Sequence, residues 1–350
     1  MVSGAALTLA IETSCDDTCA SVVDADGAIR SNAISSQGIH DRFGGVVPEI
    51  ASRQHLALVN LVVEHALADA GVALGDIQLI GVTQGPGLVG ALLVGLCTAK
   101  ALAAARELPL APVNHLQGHV AANFLAETAD GPFEPPFICL IASGGHTLLA
   151  EVQARDGFTV LGRCLDDAAG EAFDKGARML GLGYPGGPAL ERLARDGDPA
   201  AYAFPGAHQH GRGRRGGRGR AFAESLDFSF AGLKTALLYK LREIGEKPAR
   251  AAAADLAASY QAAIVESLAQ RTERALLATG LDRLAIGGGV AANGALRGRL
   301  AEIGVTLRVP GMKLCTDNAA MIASAARFGE RLPYPDYLPL EVYATGERPL

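Results

Sequence analysis

Two segments about 130 residues apart share one pattern. Leu7–Val23 and Phe137–Val152 each read as an apolar run, a short polar tip and a second apolar run. Alternating apolar runs around a Ser/Thr/Gly/Asp-rich tip are the signature of a β-hairpin. Such a tip offers backbone N–H groups and hydroxyls with no bulky side chain before them, which suits a phosphate or acyl-phosphate. Its recurrence predicts a duplicated chain, one tip per half, with a ligand clamped between the halves.

The rest of the chain supports two α/β halves. Strands are expected at 7–12, 18–24 and 28–34, followed by a Gly44-Gly45 linker and a helix over 51–70 with apolar residues at 56, 59, 63, 66 and 67. A strand at 77–83 leads through Gln84-Gly-Pro-Gly-Leu88 into an apolar helix at 88–105, and 110–113 is a further strand. The second half restarts with strands at 137–142, 147–152 and 158–162, then helices at 167–181 and 188–195. A helix at 251–279, the strand Arg283–Ile286, a helix from about 294 and a helix at 318–330 complete the reading. This order fits mixed sheets covered by helices. The helix at 88–105, with Gly90, Ala91 and Gly95 among Leu and Val, is either core or a surface that lets a partner helix approach.

Composition excludes several classes. With 350 residues, 49% hydrophobic and 19% charged, the chain can bury the cores of about two domains. The six cysteines form no C-x-x-C pair and mostly sit in apolar strands, which suits reduced thiols rather than a disulfide framework. No basic leader precedes the first apolar run, and Glu12 and Asp16 interrupt it, so a cytoplasmic protein with no membrane partner is expected. The longest apolar run, Leu88–Ala99, is too short to span a bilayer. A net charge of −6 argues against a general nucleic-acid coat. A local exception is Gly211–Arg220, with five arginines in an Arg/Gly-rich loop over 205–225. Such a loop is either a solvated segment or a tRNA contact.

Four motifs carry candidate chemistry. His115 and His119 are spaced i, i+4, which puts both imidazoles on one helix face as ligands for a divalent metal, or as a packed pair. No Glu follows His115, so the metalloprotease pattern is absent. Asp317 is a candidate third ligand, or the N-cap of the helix after it. Asp167, Glu171 and Asp174 form an acidic stripe beside Lys175 that reads as a solvated face or as a cleft wall. Glu191, one turn into the next helix, can accept from ribose hydroxyls. Gly287–Asn293 joins a strand to a helix, where a nucleotide or only a tight turn can lie.

Together these stretches resemble one family, the tRNA N6-adenosine threonylcarbamoyltransferases. The resemblance is carried by Ile11–Asp16, Gly44–Arg53, Gly85–Gly90, His115-x-x-Gly-His119, Ser143–Thr147, Asp166–Lys175, Tyr184–Pro188, Asp227–Thr235 and Cys315–Asn318. It implies an actin-like ATPase fold of two duplicated RNase H-like α/β domains. The expected boundaries are 1–131 plus 318–350, and 132–317. It implies transfer of the threonylcarbamoyl group from threonylcarbamoyl-AMP to the N6 amine of adenosine 37, in tRNAs that read codons beginning with A. By position, His115, His119 and Asp317 would hold one metal, Fe2+ or alternatively Zn2+. Ile141, Ala142, Ser143, Gly144, Gly145, Asp174, Gly187, Glu191 and Asn293 would bind the donor. Asp16 and His146 are the two candidates for the base that takes the amine proton. The implied partners are tRNA, a TsaB-like paralogue, a TsaE-like ATPase and a TsaC-type enzyme that supplies the adenylate.

Three departures from the family pattern stand out. Gln117 replaces a common Glu between the histidines, facing away from their shared side. Asp17 stands where Glu is usual. The Arg/Gly loop enlarges a segment that is normally shorter. A metallopeptidase or a small-molecule kinase of the same fold would be the rival classes, and neither accounts for the whole set.

Overall fold

The computed structural model describes residues 6–126, 131–205 and 225–344. It divides into two compact units. Unit 1 holds Met1–Pro135, Gln153–Phe158 and Pro310–Leu350, and unit 2 holds Pro136–Val152 and Thr159–Val309. The returning segment therefore carries Asp317 within unit 1, where the sequence reading drew the boundary after it. Most of the Arg/Gly loop at 205–225 lies outside the described residues.

Unit 1 is built on five strands: β1 (Leu7–Glu12), β2 (Asp17–Asp24), β3 (Ile29–Ser36), β4 (Leu79–Gly85) and β5 (Leu110–Asn114). Their order is β3-β2-β1-β4-β5; β1–β2 and β2–β3 are antiparallel, β1–β4 and β4–β5 parallel. Unit 2 repeats the plan with β6 (Phe137–Ala142), β7 (Thr147–Ala154), β8 (Gly157–Arg163), β9 (Arg283–Gly287) and β10 (Thr306–Arg308), in the order β8-β7-β6-β9-β10. β6 again pairs antiparallel with the strand after it and parallel with the later one. The duplicated hairpin is thus the centre of a duplicated sheet.

Strand alternation sorts the unit 1 helices. Leu9, Ile11 and Val22 join a core with Val59, Val63 and Leu96 from the helices Pro48–Ala70 and Val89–Ala104. Ala10 and Gly81 face the fully buried helix Ala319–Ala326. A Cβ on Gly81 would stand 2.9 Å from the Ala326 Cβ, so the glycine lets that helix lie on the sheet. The helix at 48–70 starts three residues before the expected 51, because Pro48 is well placed in a first turn. Of the two readings open for the helix Val89–Ala104, core or partner surface, Ala91 and Gly95 take the first and point inward. Ala91 is fully buried and Gly95 packs on Thr13. The outward stripe of that helix is instead Val89, Leu93 and Cys97.

In unit 2 the expected helix 251–279 is one helix, Ala253–Thr279, preceded by a short helix, Glu246–Ala251, from which Ala252 separates it by leaving helical geometry. The helix Ala231–Ile244 is an addition to the expected elements. Tyr260 packs into the gap left by Gly176 and donates to the Ala172 carbonyl at 3.0 Å. All six cysteines are free, and Cys19, Cys139 and Cys315 are buried. Among the described residues no helix is long and apolar enough to cross a membrane.

Candidate metal centre and donor site

β5 runs directly into the helix His115–Ala121. Asn114 caps it, its side-chain oxygen accepting from the Leu116 and Gln117 amides at 2.8 and 3.3 Å. The i, i+4 spacing then sets the two imidazoles side by side, ring centroids 4.8 Å apart. Asp317 completes the group: its Oδ1 lies 3.5 Å from His115 Nε2 and 3.4 Å from His119 Nε2. The N-cap of the helix after Asp317 is Asn318, whose side chain accepts from the Met321 amide at 3.0 Å. The capping role is therefore taken, and the Asp317 carboxylate turns to the histidines.

The donor set fits a divalent cation. Ligand atoms of His115, His119 and Asp317 all lie within 4.8 Å of one another. His119 is fully buried, and neither of its ring nitrogens makes a hydrogen bond. Burying unbonded imidazole nitrogens costs free energy that a coordinated ion would offset.

Behind His115 stands a residue to which the sequence assigns no site role. Glu12, fully buried at the end of β1, places Oε2 3.0 Å from His115 Nδ1. The carboxylate also accepts from Thr83 Oγ1 at 2.5 Å and from the Ser14 amide. In the neutral imidazole, an Nδ1–H held by Glu12 leaves the Nε2 lone pair facing Asp317 and His119, the arrangement by which outer carboxylates orient ligating histidines. Burial alone would raise the Glu12 pKa, but the charge and hydrogen bond of His115 outweigh it and hold it below its usual value. Burial alone would lower that of His115, yet the Asp317 and Glu12 carboxylates raise it to about 9. Burial depresses His119 below its usual value. A charged residue closing an otherwise apolar strand was the available signal for Glu12.

Asp16 lies half-buried at the tip of the β1–β2 hairpin, its carbonyl accepting from the Gln37 amide at 3.2 Å. His55, from the helix at 48–70, clamps this tip. Its Nε2 lies 3.0 Å from the Cys15 carbonyl and its Nδ1 2.8 Å from Thr18 Oγ1.

The expected donor residues gather in unit 2. Ile141 and Ala142 are buried in β6, so only their backbone can meet a ligand. At the tip, the Ser143 amide donates to the His146 carbonyl at 2.8 Å and the His146 amide to Ser143 Oγ at 3.1 Å. Gly144 and Gly145 are exposed, and a Cβ on either would enter open space. The crowded glycine is Gly170, where a Cβ would stand 2.6 Å from the Ser143 carbonyl oxygen. Gly288 is likewise pressed against the Ala142 carbonyl.

Three of the expected donor residues also cap helices. Asp174 Oδ1 accepts from the Gly186 and Gly187 amides at 2.8 and 3.2 Å, and burial raises its pKa. Glu191 Oε1 accepts from the Gly294 amide at 2.9 Å. Asn293 accepts from the Leu296 amide and donates to Gln261 Oε1, at 2.9 and 2.8 Å. The remainder of the acidic stripe is a charge network, with Lys175 bridging Asp167 and Glu171 and Lys234 reaching Asp167.

A family model described as TsaD, tRNA N6-adenosine threonylcarbamoyltransferase, matches residues 28–324. Curated proteins of that name from Clostridium perfringens (strain SM101 / Type A) and Clostridium botulinum (strain 657 / Type Ba4) are 49% and 48% identical over 325 residues, 91% of either chain. Among solved structures, component A of the (R)-2-hydroxyglutaryl-CoA dehydratase of Acidaminococcus fermentans aligns with TM-score 0.51 at 14% identity, covering 93% of this chain and 97% of that one. HypF of T. kodakarensis aligns with TM-score 0.56 at 14% identity, covering 92% of this chain and 47% of that one. At these identities the structural likeness speaks to the fold alone, which is that of the actin-like ATPases.

Proposed function

Because the chain belongs to the TsaD family of tRNA N6-adenosine threonylcarbamoyltransferases, we propose that it carries threonylcarbamoyl from threonylcarbamoyl-AMP to N6 of adenosine 37. The acceptors are tRNAs reading codons that begin with A, the product is t6A, and AMP is released. The observation that carries the reading is the pair of buried imidazoles facing one Asp317 oxygen, with His115 keyed from behind by Glu12.

His115, His119 and Asp317 would hold one divalent metal, Fe2+ or alternatively Zn2+. When bound, such an ion supplies Lewis-acid polarisation of a carbonyl oxygen. The chain's own residues do the rest. The Ser143 amide is engaged by His146, so the amides of Gly144 and Gly145 are assigned to the adenylate phosphate. N6 attacks the carbamoyl carbon, the bond from that carbon to the phosphate oxygen breaks, and AMP leaves with the electron pair. The amine proton passes to a base, for which Asp16 and His146 are the candidates. Asp174, Gly187, Glu191 and Asn293 would frame the donor, with Ile141 and Ala142 contributing backbone only.

The proposed partners are a TsaB-like paralogue, a TsaE-like ATPase and a TsaC-type enzyme that supplies the adenylate. The exposed stripe Val89, Leu93 and Cys97 supports a helix-to-helix contact with the paralogue.

The test is AMP release measured with threonylcarbamoyl-AMP and tRNA, together and singly. The expected result is AMP and t6A in equal amounts only when both substrates are present. Equal AMP release without tRNA overturns the transferase assignment.

A further inference from the structure

The last described residues of the chain do not trail away from unit 1. The carbonyls of Leu338 and Leu340 accept from Lys100 Nζ at 2.8 and 2.5 Å. The Glu341 carbonyl accepts from Gln84 Nε2 at 2.7 Å, and the Tyr343 amide donates to the Gln84 carbonyl at 3.2 Å. The Tyr343 hydroxyl donates to the Gly85 carbonyl at 3.0 Å and accepts from Asn114 Nδ2 at 3.1 Å. A Cβ on Gly85 would stand 2.4 Å from the Tyr343 carbonyl oxygen, so a glycine here is what lets the segment lie so close.

Both strand ends under this segment carry parts of the candidate metal centre. β4 ends at Gly85 and holds Thr83, which donates to Glu12. β5 ends at Asn114, the N-cap of the helix that bears both histidines. That helix has only seven residues, too few to hold a fixed geometry by its own hydrogen bonds. Asn114 has its side-chain oxygen committed to the Leu116 and Gln117 amides, so its NH2 group has one orientation, toward Tyr343.

We infer that residues 338–344 act as a positioning strap for the metal ligands. Tyr343 fixes the Asn114 side chain, and Asn114 fixes the first turn that presents His115 and, one turn on, His119. The same strap steadies β4, and through Thr83 the carboxylate that orients His115. Tyr343 touches no reacting atom, so its role is that of a positioning residue. The inference rests on the metal reading above and deepens it.

The test titrates Co2+ into the full chain and follows both the dissociation constant and the visible absorption of the bound ion. The chains compared are wild type, Tyr343→Phe, Asn114→Ser and the double variant. Phe keeps the buried ring, and Ser keeps an N-cap oxygen but cannot reach residue 343. Each single variant is expected to weaken Co2+ binding about tenfold and to alter the absorption bands, the usual scale for loss of an outer partner. The double variant is expected to be no weaker than either single one, as for two ends of one contact. Wild-type affinity and spectrum in Tyr343→Phe overturn the strap while leaving the metal reading intact, and so do single effects that simply add. A wild-type chain that binds no Co2+ overturns the metal reading and the strap with it.

Discussion

Glu12 Oε2 lies 3.0 Å from His115 Nδ1, and the carboxylate is buried on the side of the imidazole away from Asp317. That contact selects the ring nitrogen left to face Asp317. Glu12→Gln keeps the shape but loses the charge, so metal affinity is expected to fall about 10–100-fold with the fold retained. Competition against a chelator of known affinity measures it, and an unchanged constant would remove Glu12 from the site.

His119 has no hydrogen-bonding work that explains its burial. His119→Ala is expected to remove bound metal and transferase activity together. Elemental analysis of the purified variant decides this, and full occupancy would defeat the ligand assignment.

The two tip glycines and Gly170 are expected to respond in opposite ways. Gly144→Val meets open space, so stability should hold while binding of a threonylcarbamoyl-adenylate analogue is lost. Gly170→Ala drives a methyl into the Ser143 carbonyl and should cost about 1–3 kcal/mol of stability. Calorimetry with the analogue and urea unfolding separate the two effects. A Gly144→Val chain that binds like wild type would exclude the tip from the donor site.

His55 introduces a pH dependence. Its Nε2 donates to the Cys15 carbonyl, and in the neutral ring Nδ1 accepts from Thr18 Oγ1. Burial holds its pKa below the 6.5 of an ordinary histidine. The unfolded chain therefore takes up the proton first as pH falls. Its contribution is fully present above pH 6.5 and is lost as pH drops below that, through the lower folded value. His55→Gln retains a donor for Cys15 but cannot titrate. Its urea midpoint should fall less than that of wild type between pH 7.5 and pH 5 (conditions chosen to lie roughly one unit or more either side of 6.5). Parallel curves for the two chains would contradict the assignment.

Leu93 is 44% exposed on the helix Val89–Ala104, whereas Ala91 is fully buried. Leu93→Arg should abolish co-purification with the TsaB-like paralogue and leave the unfolding midpoint unchanged. Wild-type recovery of the complex would place the interface elsewhere.

Much of this protein was legible along the chain. Hairpin periodicity is local, so β1–β2 and β6–β7 could be placed from alternation and their tips from composition. The i, i+4 spacing sets two residues on one face of any helix, and it marked His115 and His119 as a candidate pair. What the chain could not reveal is which groups meet across long sequence separations. Glu12 reaches His115 only because β1 pairs with β4 and β4 with β5. Asp317 was ambiguous between cap and ligand until Asn318 took the cap. Ala91 and Leu93 are equally apolar in sequence, and only packing against the sheet buries one and exposes the other. Local patterns encode the elements because helix and strand periodicities act over a few residues. The site was decided by tertiary structure, because buried polar groups choose partners by proximity and desolvation rather than by their place in the chain.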